Sequence, residues 1–232
     1  MIRYLLAATV LIASGSSLII RPTDFESTNN TSRPACLTNE EIGTTVRTLS
    51  TGSQADVDTA SETLLNAAKR SRDCREKVVA GLMVQMDKSD LDFQRNRSDY
   101  YLWRYGAAIL GDLRASEAID LLIRQLESND GLWSSTMVHQ PALNGLIRMG
   151  PAAIPKLSTI LVESHDQHTR RDAVYCIASI GGLQALTALK KASPSQSDDC
   201  VRHFIEASIR GLSNSQHRLT DRQKWFSAFM CN

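Results

Sequence analysis

Five cysteines carry the most reactive side chains of this chain: Cys36, Cys74, Cys176, Cys200 and Cys231. An odd number leaves at least one of them outside any intramolecular disulfide. We predict disulfides Cys36–Cys74 and Cys200–Cys231, with Cys176–Cys200 as a competing pair, and the sequence leaves this connectivity open. Each bridge would contribute roughly 3–4 kcal/mol in the loop-entropy model. No two cysteines lie at metal-ligand spacing, so we expect no metal site formed by them.

Histidines offer the other candidate chemistry. His165 and His168 flank Asp166, which is a pattern that could bind a metal ion, but the three residues lie in a polar stretch that we interpret as an exposed turn. The remaining histidines are scattered, and none lies near a Ser or Cys in a nucleophile-like setting. The pair Gly181 and Gly182 is predicted to be a turn and not a phosphate-binding loop. We therefore predict no catalytic residue, no cofactor and no metal.

Repeated apolar triplets indicate the elements that position these side chains. Each triplet has the spacing i, i+4, i+7, which places its members on one stripe of an α-helix. The triplets are Gly106–Leu110–Leu113, Ala142–Leu146–Met149, Ala173–Ile177–Ile180 and Ile205–Ile209–Leu212. Their centres are 36, 31 and 32 residues apart (146 − 110, 177 − 146 and 209 − 177). A repeat at this interval is typical of a helical solenoid.

A second series of apolar positions, at i, i+3, i+7, follows the first within each unit. Its members are Val79–Leu82–Met86, Ile119–Leu122–Leu126, Ile154–Leu157–Leu161 and the weaker Leu186–Leu189–Ser193. Short turns separate the two helices of a unit, and Gly150 followed by Pro151 is the clearest of them. Neither helix can bury its stripe alone. We therefore predict an all-α fold, an α-solenoid of stacked antiparallel helix pairs.

Several of these runs resemble HEAT repeats of the short bacterial type, which are named after phycobilisome lyases. The resemblance rests on residues 107–113, 117–122, 147–157 and 179–186, covers about residues 100–212, and is faint over 56–90. It implies an armadillo-type superhelix and, for most family members, a binding scaffold, while a few act in bilin attachment. No catalytic residue carries over, because the motif contains only packing and turn positions.

The N-terminal segment predicts export. Arg3 precedes an apolar stretch at 4–12, small residues follow at 13–17, and residues 18–20 extend the apolar run. This is the pattern of a signal peptide. The 17 residues of 4–20 also reach the lower limit for a membrane span, so a retained anchor in the inner membrane is the alternative. We expect a periplasmic or secreted protein.

The rest of the chain divides by composition and periodicity. Residues 21–37 are predicted to be a disordered linker, 38–99 irregular helical repeats, 100–212 HEAT-like repeats and 213–232 a capping helix. Thr38 and Glu41 form a predicted capping box that starts a helix to about Leu49, and another helix is expected over 56–70. The polar stretch 88–99 is predicted to be a loop.

Candidate partner-binding residues lie on the second helices and in one aromatic cluster. Arg124, Lys190 and Lys191 belong to ladders that should face outward, with Ile123, Ser158 and Thr159 at equivalent positions. Trp103 and Arg104 lie in the run 100–105, which either packs against the core or forms an interface anchor. Lys plus Arg total 26 against 25 Asp plus Glu, and this balance argues against a nucleic-acid partner.

These observations favour a non-enzymatic interaction module that holds a protein or peptide partner in the cell envelope. The alternative is a lyase-like or pigment-handling enzyme, for which Cys200 is the candidate thiol. An assembly or chaperone factor with transient clients is a third hypothesis, and the sequence does not separate it from the first.

Overall fold

The computed structural model describes residues 36–89, 97–127 and 140–213, and these residues are helical with no strand among them. The helices are α1 (Asn39–Thr51), α2 (Gln54–Arg70), α3 (Arg72–Lys88), α4 (Arg97–Asp112), α5 (Ile119–Glu127), α6 (Pro141–Met149), α7 (Ile154–Glu163), α8 (Gln167–Ile180), α9 (Gly182–Ala192) and α10 (Asp199–Ser213). Short 3₁₀ turns at Ser116–Ala118 and Gly150–Ala153 lead into α5 and α7. The all-α prediction is confirmed.

The helices pack as a stack of pairs. The first helices α4, α6, α8 and α10 contact one another in chain order, and α1 packs against α4. The second helices α5, α7 and α9 each contact the first helix of the next unit, and α7 also packs against α9. At the start of the stack, α2 is inserted between α1 and α3. The inserted helix explains why the sequence repeat is faint before residue 90.

The turns inside the pairs repeat with the same register as the apolar triplets. Arg114, Gly150 and Gly181 have positive φ values of 49°, 72° and 73°. They are 36 and 31 residues apart (150 − 114 and 181 − 150), like the centres of the triplets. Glycine adopts this left-handed conformation without the steric cost of a Cβ. Arg114 shows that the first unit also turns at a residue with positive φ, here without a glycine.

The predicted stripes form one hydrophobic core. All members of Val79–Leu82–Met86, Ala142–Leu146–Met149 and Ile154–Leu157–Leu161 are buried. The fourth triplet is less enclosed, since Ile209 and Leu212 are only partly buried at the end of the described chain. A capping helix was predicted at 213–232 to cover this end; apart from Ser213, which belongs to α10, those residues lie outside the described ranges. None of the helices in the described ranges combines the length and apolarity needed to cross a membrane.

Local capping and one disulfide hold the N-terminal helices. The Thr38 Oγ1 accepts from the Glu41 amide at 3.2 Å, and the Glu41 Oε2 accepts from the Thr38 amide at 2.7 Å, so the predicted capping box is confirmed. Cys36, just before α1, and Cys74 in α3 form a disulfide with their Cα atoms 5.2 Å apart. This pairing was predicted. The bond is compatible with an exported protein, in which disulfides persist.

Two sequence-based boundaries need adjustment. Helix α4 begins at Arg97, inside the stretch predicted to be a loop, although residues 90–96 lie outside the described ranges. His168 lies in the first turn of α8 and not in the exposed turn predicted for it, because Asp166 caps the helix by accepting from the Thr169 amide at 2.6 Å. His165 is exposed before that cap. The predicted export segment at 4–20 and the linker lie outside the described residues, apart from Cys36 and Leu37.

Candidate functional site

The second helices present the basic residues that the sequence singles out. Arg124, Thr159 and Lys191 are exposed, one on each of α5, α7 and α9, and Lys190 is exposed beside Lys191. Ile123 was predicted to point outward but is buried. That prediction is wrong because α5 contacts both α6 and α8, so a wider part of its circumference is enclosed than a single stripe.

Exposed ion pairs link α3 to α5 and α5 to α7. Arg124 of α5 donates to Asp87 of α3 at 2.9 Å, and Lys156 of α7 pairs with Asp120 of α5 at 2.9 Å. Exposed pairs of this kind contribute about 0–1 kcal/mol to stability. Their main consequence is electrostatic, since the charge of Arg124 is already balanced within the protein. Among the described residues no ion pair joins α7 to α9.

An open groove of about 1060 Å³ lies between α7 and α9 instead. Its lining is mainly apolar, and two of its members are large hydrophobic side chains with high exposure: Val162 at 52% and Leu183 at 79%. Thr159 and Lys191, two members of the predicted ladder, also line it. The structure therefore brings part of the predicted basic ladder together with an apolar surface that the sequence reasoning missed.

A second groove of about 520 Å³ lies between α1 and α3. It has one exposed large hydrophobic residue, Val84. Its charges are balanced locally, because Lys77 pairs with Asp73 at 2.9 Å and Glu76 pairs with Arg72 at 2.8 Å. It is smaller and more polar in character than the groove between α7 and α9, and we take the latter as the candidate site.

The aromatic cluster is divided between core and surface. Trp103 is 2% exposed, and its indole Nε1 donates to Ser89 Oγ at 2.8 Å, so it is not available to a partner and that candidate is wrong. The reason is helical geometry, since α4 turns Trp103 and Leu102 toward the core. Arg104 is exposed, with its guanidinium carbon 5.6 Å from the centre of the Tyr105 ring.

The cysteines do not supply a reactive thiol within the described residues. Cys176 is free but buried, and burial raises the pKa of its thiol well above the usual value. Because Cys176 is free, the competing pair Cys176–Cys200 is wrong. Cys200 is disulfide-bonded, so the thiol nominated for the enzyme hypothesis is not a nucleophile in this structure. Cys231 lies outside the described residues, and the pairing Cys200–Cys231 stays a prediction.

One buried carboxyl group was not expected from the sequence. Asp172 in α8 is 3% exposed, and its Oδ1 has no hydrogen-bond partner in the described part of the chain. Burial raises the pKa of this carboxyl to about 7, against the opposing effect of the Arg171 guanidinium, and Asp166 adds to the increase. A side-chain hydrogen bond from Gln140 favours the charged form. The group lies in the packing between α6 and α8 and not in the groove.

Metal coordination finds no support in the described ranges, where no group of three or more His, Cys, Asp or Glu residues could hold an ion. The sequence did contain one indication of the groove, which is the position of two hydrophobic residues in the repeat. Val162 and Leu183 fall outside the apolar stripes of α7 and α9, so an exposed location was available from the repeat register. That both border one groove required the packing of the two helices.

Comparison with known proteins leaves the family open. No protein-family model matches the chain, and no curated protein matches it. A crystal structure of an engineered protein from the Northeast Structural Genomics Consortium is similar to it, with 16% sequence identity, a TM-score of 0.37, and coverage of 75% of this chain and 80% of that one. A TM-score this low supports no statement about family, and membership of the HEAT-repeat family stays a prediction.

Proposed function

We propose that this protein is an exported, non-catalytic scaffold that holds a protein partner on the surface of its second helices. The observation that carries the proposal is the groove between α7 and α9, where Val162 and Leu183 are exposed beside Lys191. Contiguous exposed hydrophobic surface bordered by charge is typical of interaction sites. The HEAT-type resemblance of residues 100–212 agrees with this function.

Two further observations support the proposal. The stacked pairs present equivalent positions of successive helices in rows, which is how solenoids build extended binding surfaces. The Cys36–Cys74 disulfide fits the predicted export, because such bonds are rare in the reducing cytosol. Cell-envelope location and the identity of the partner belong to the proposal.

The proposal is tested by replacing Arg124, Lys190 and Lys191 together with alanine in the full chain and capturing partners from envelope extract. We expect a protein that is captured by the parent chain to be lost by the triple variant. A control variant with Lys69→Ala and Lys88→Ala, which removes exposed lysines from α2 and α3, should retain it. Equal capture by all three proteins would discard this surface as the binding site.

A further inference from the structure

The ion pairs along the second helices stop at a defined position in the repeat. The middle leucine of the second apolar series gives the register of each helix. Arg124 lies two residues after Leu122, as Lys191 lies two residues after Leu189. Asp87 lies five residues after Leu82, as Val162 lies five residues after Leu157. The position that supplies a carboxylate to Arg124 therefore carries an isopropyl group in the helix next to Lys191. Within the described chain no ion pair reaches Lys190 or Lys191.

The groove that results combines apolar surface with an unbalanced cation. Val162, Leu183, Pro155 and Ala188 supply apolar lining, and Lys191 borders it. Glu163 is the acidic residue of the lining, and no ion pair joins it to Lys191. The lining holds one lysine and one glutamate, and Lys190, the neighbour of Lys191 in α9, is exposed but does not line the groove. The positive charge available to a partner in the groove is therefore the ammonium group of Lys191, which forms no ion pair with Glu163.

The groove of about 1060 Å³ is open along one side, which suits a few residues of a peptide more than a small metabolite, since small-molecule sites bury about 70–90% of the surface of their ligand. An apolar side chain in the groove would remove Val162 and Leu183 from water, which is favourable in proportion to the area covered. A neighbouring carboxylate would be attracted by Lys191.

We infer that the groove between α7 and α9 binds a short acidic–apolar segment of a partner protein, in which a large hydrophobic side chain lies next to Asp or Glu. The hydrophobic side chain covers Val162 and Leu183. The carboxylate provides Lys191 with the negative charge that Asp87 provides to Arg124. This inference rests on the proposed function and specifies the chemistry of its partner.

The test selects a displayed library of random short peptides on the full chain and measures the enriched peptides by fluorescence anisotropy. We expect the enriched sequences to contain Leu, Ile or Phe beside Asp or Glu. Amidation of that acid in the peptide, Leu183→Ser in the protein and Lys191→Ala in the protein should each weaken binding by about tenfold. Glu163→Gln should tighten it, because it removes the opposing charge.

An exposed hydrophobic residue and an exposed lysine outside the groove between α7 and α9 provide matched controls. Val84→Ser alters an exposed hydrophobic residue in the groove between α1 and α3, and Lys69→Ala removes an exposed lysine of α2. Both should leave the Kd of the peptides unchanged. Unchanged circular-dichroism melting of Leu183→Ser, whose side chain is exposed, would show that lost binding is not lost folding.

Four results would overturn the inference. These are no enrichment, enrichment of peptides without an acid, self-association of the chain that Leu183→Ser abolishes, and peptide binding that appears only after deletion of residues 214–232. The last two would assign the groove to a second copy or to the chain's own C-terminal segment. Partner capture that depends on Arg124, Lys190 and Lys191 but not on Leu183 would keep the surface of the second helices as the binding site and would discard the groove together with the acidic–apolar partner inferred for it.

Discussion

The helices α1–α3 and the stack α4–α10 both contain side-chain caps and a disulfide-bonded cysteine, Asp166 and Cys200 in the stack, but they differ in the turns that connect their helices. In α1–α3, side chains cap each helix, as in the capping boxes of Thr38 and Ser53, and the Cys36–Cys74 disulfide connects the start of α1 to α3. In α4–α10, positive-φ turns recur in register, and α4 and α6 approach closely at Gly111 and Gly145. Where α2 interrupts the repeat, the Cys36–Cys74 disulfide and the side-chain caps supplement the packing of successive helix pairs.

Removal of the Cys36–Cys74 disulfide should produce the largest difference in stability between α1–α3 and α4–α10. The bond closes a loop between residues 38 apart in sequence, for which the chain-entropy model gives a contribution of about 4 kcal/mol. In the double variant Cys36→Ser/Cys74→Ser, we expect hydrogen exchange to report a loss of about that size in α1 and α3 and little change in α8. A loss of equal size in α8 would show that the two regions unfold as one unit and would contradict the comparison.

Replacement of a glycine by alanine should lower the free energy of unfolding at Gly145 in α6 and raise it at Gly43 in α1. A Cβ at Gly145 would lie 2.9 Å from the Ala107 carbonyl oxygen and 2.9 Å from Leu122 Cδ1, so Gly145→Ala must separate α6 from α4 or α5. We expect a loss of about 2 kcal/mol in the free energy of unfolding, measured in urea.

The matched control is Gly43→Ala in α1. The nearest atom to its added Cβ is a guanidinium nitrogen of Arg47 at 4.0 Å, so the methyl group has room. Alanine is favoured over glycine in a helix interior, and this variant should gain up to about 1 kcal/mol. Close contact at a glycine also occurs in α1–α3, where a Cβ at Gly81 would lie 2.5 Å from Ile42 Cγ2, so the comparison concerns these two positions and not all glycines of each region. Destabilisation by Gly43→Ala as well as by Gly145→Ala would contradict the assignment of free space to Gly43.

The regions should also differ in their response to pH. The pKa of Asp172 in α8 is raised by burial to about 7, above its ordinary value, so the unfolded state ionises first as the pH rises. From about pH 4 to pH 7 this group should reduce the stability of α8 by roughly 1.4 kcal/mol per pH unit, after which the effect is constant. Glu41 and Asp56 have lowered pKa values because they accept hydrogen bonds at their caps, and their contribution is lost in acid.

The measurement compares the parent chain with Asp172→Asn by hydrogen exchange at several pH values between 4 and 8. We expect the difference in α8 to change along this window and to level off above pH 7. A difference that does not vary with pH would show that Asp172 keeps one protonation state throughout, in which case the Arg171 guanidinium would outweigh burial.

Periodicity made most of the fold predictable, because the stripes centred on Leu146 and Ile177 face the core that stacking creates. The cap at Thr38 was predictable for a different reason, because it joins residues only three apart in the sequence. The outward position assigned to Ile123 failed because burial of α5 depends on α6 and α8, which no local pattern reports. The groove was missed likewise, since Val162 and Leu183 become neighbours only through the packing of α7 on α9.

The smallest expected effect concerns a single cap. Thr38→Ala removes the oxygen that accepts from the Glu41 amide, and we expect α1 to lose about 1 kcal/mol, seen as faster hydrogen exchange in its first two turns. Thr63→Ala is the control, because the Thr63 hydroxyl donates back to the Thr59 carbonyl within α2 and caps nothing. It should be neutral or slightly stabilising. If Thr38→Ala were equally neutral, the disulfide beside it at Cys36 would already hold the start of α1, and the cap would add nothing to it.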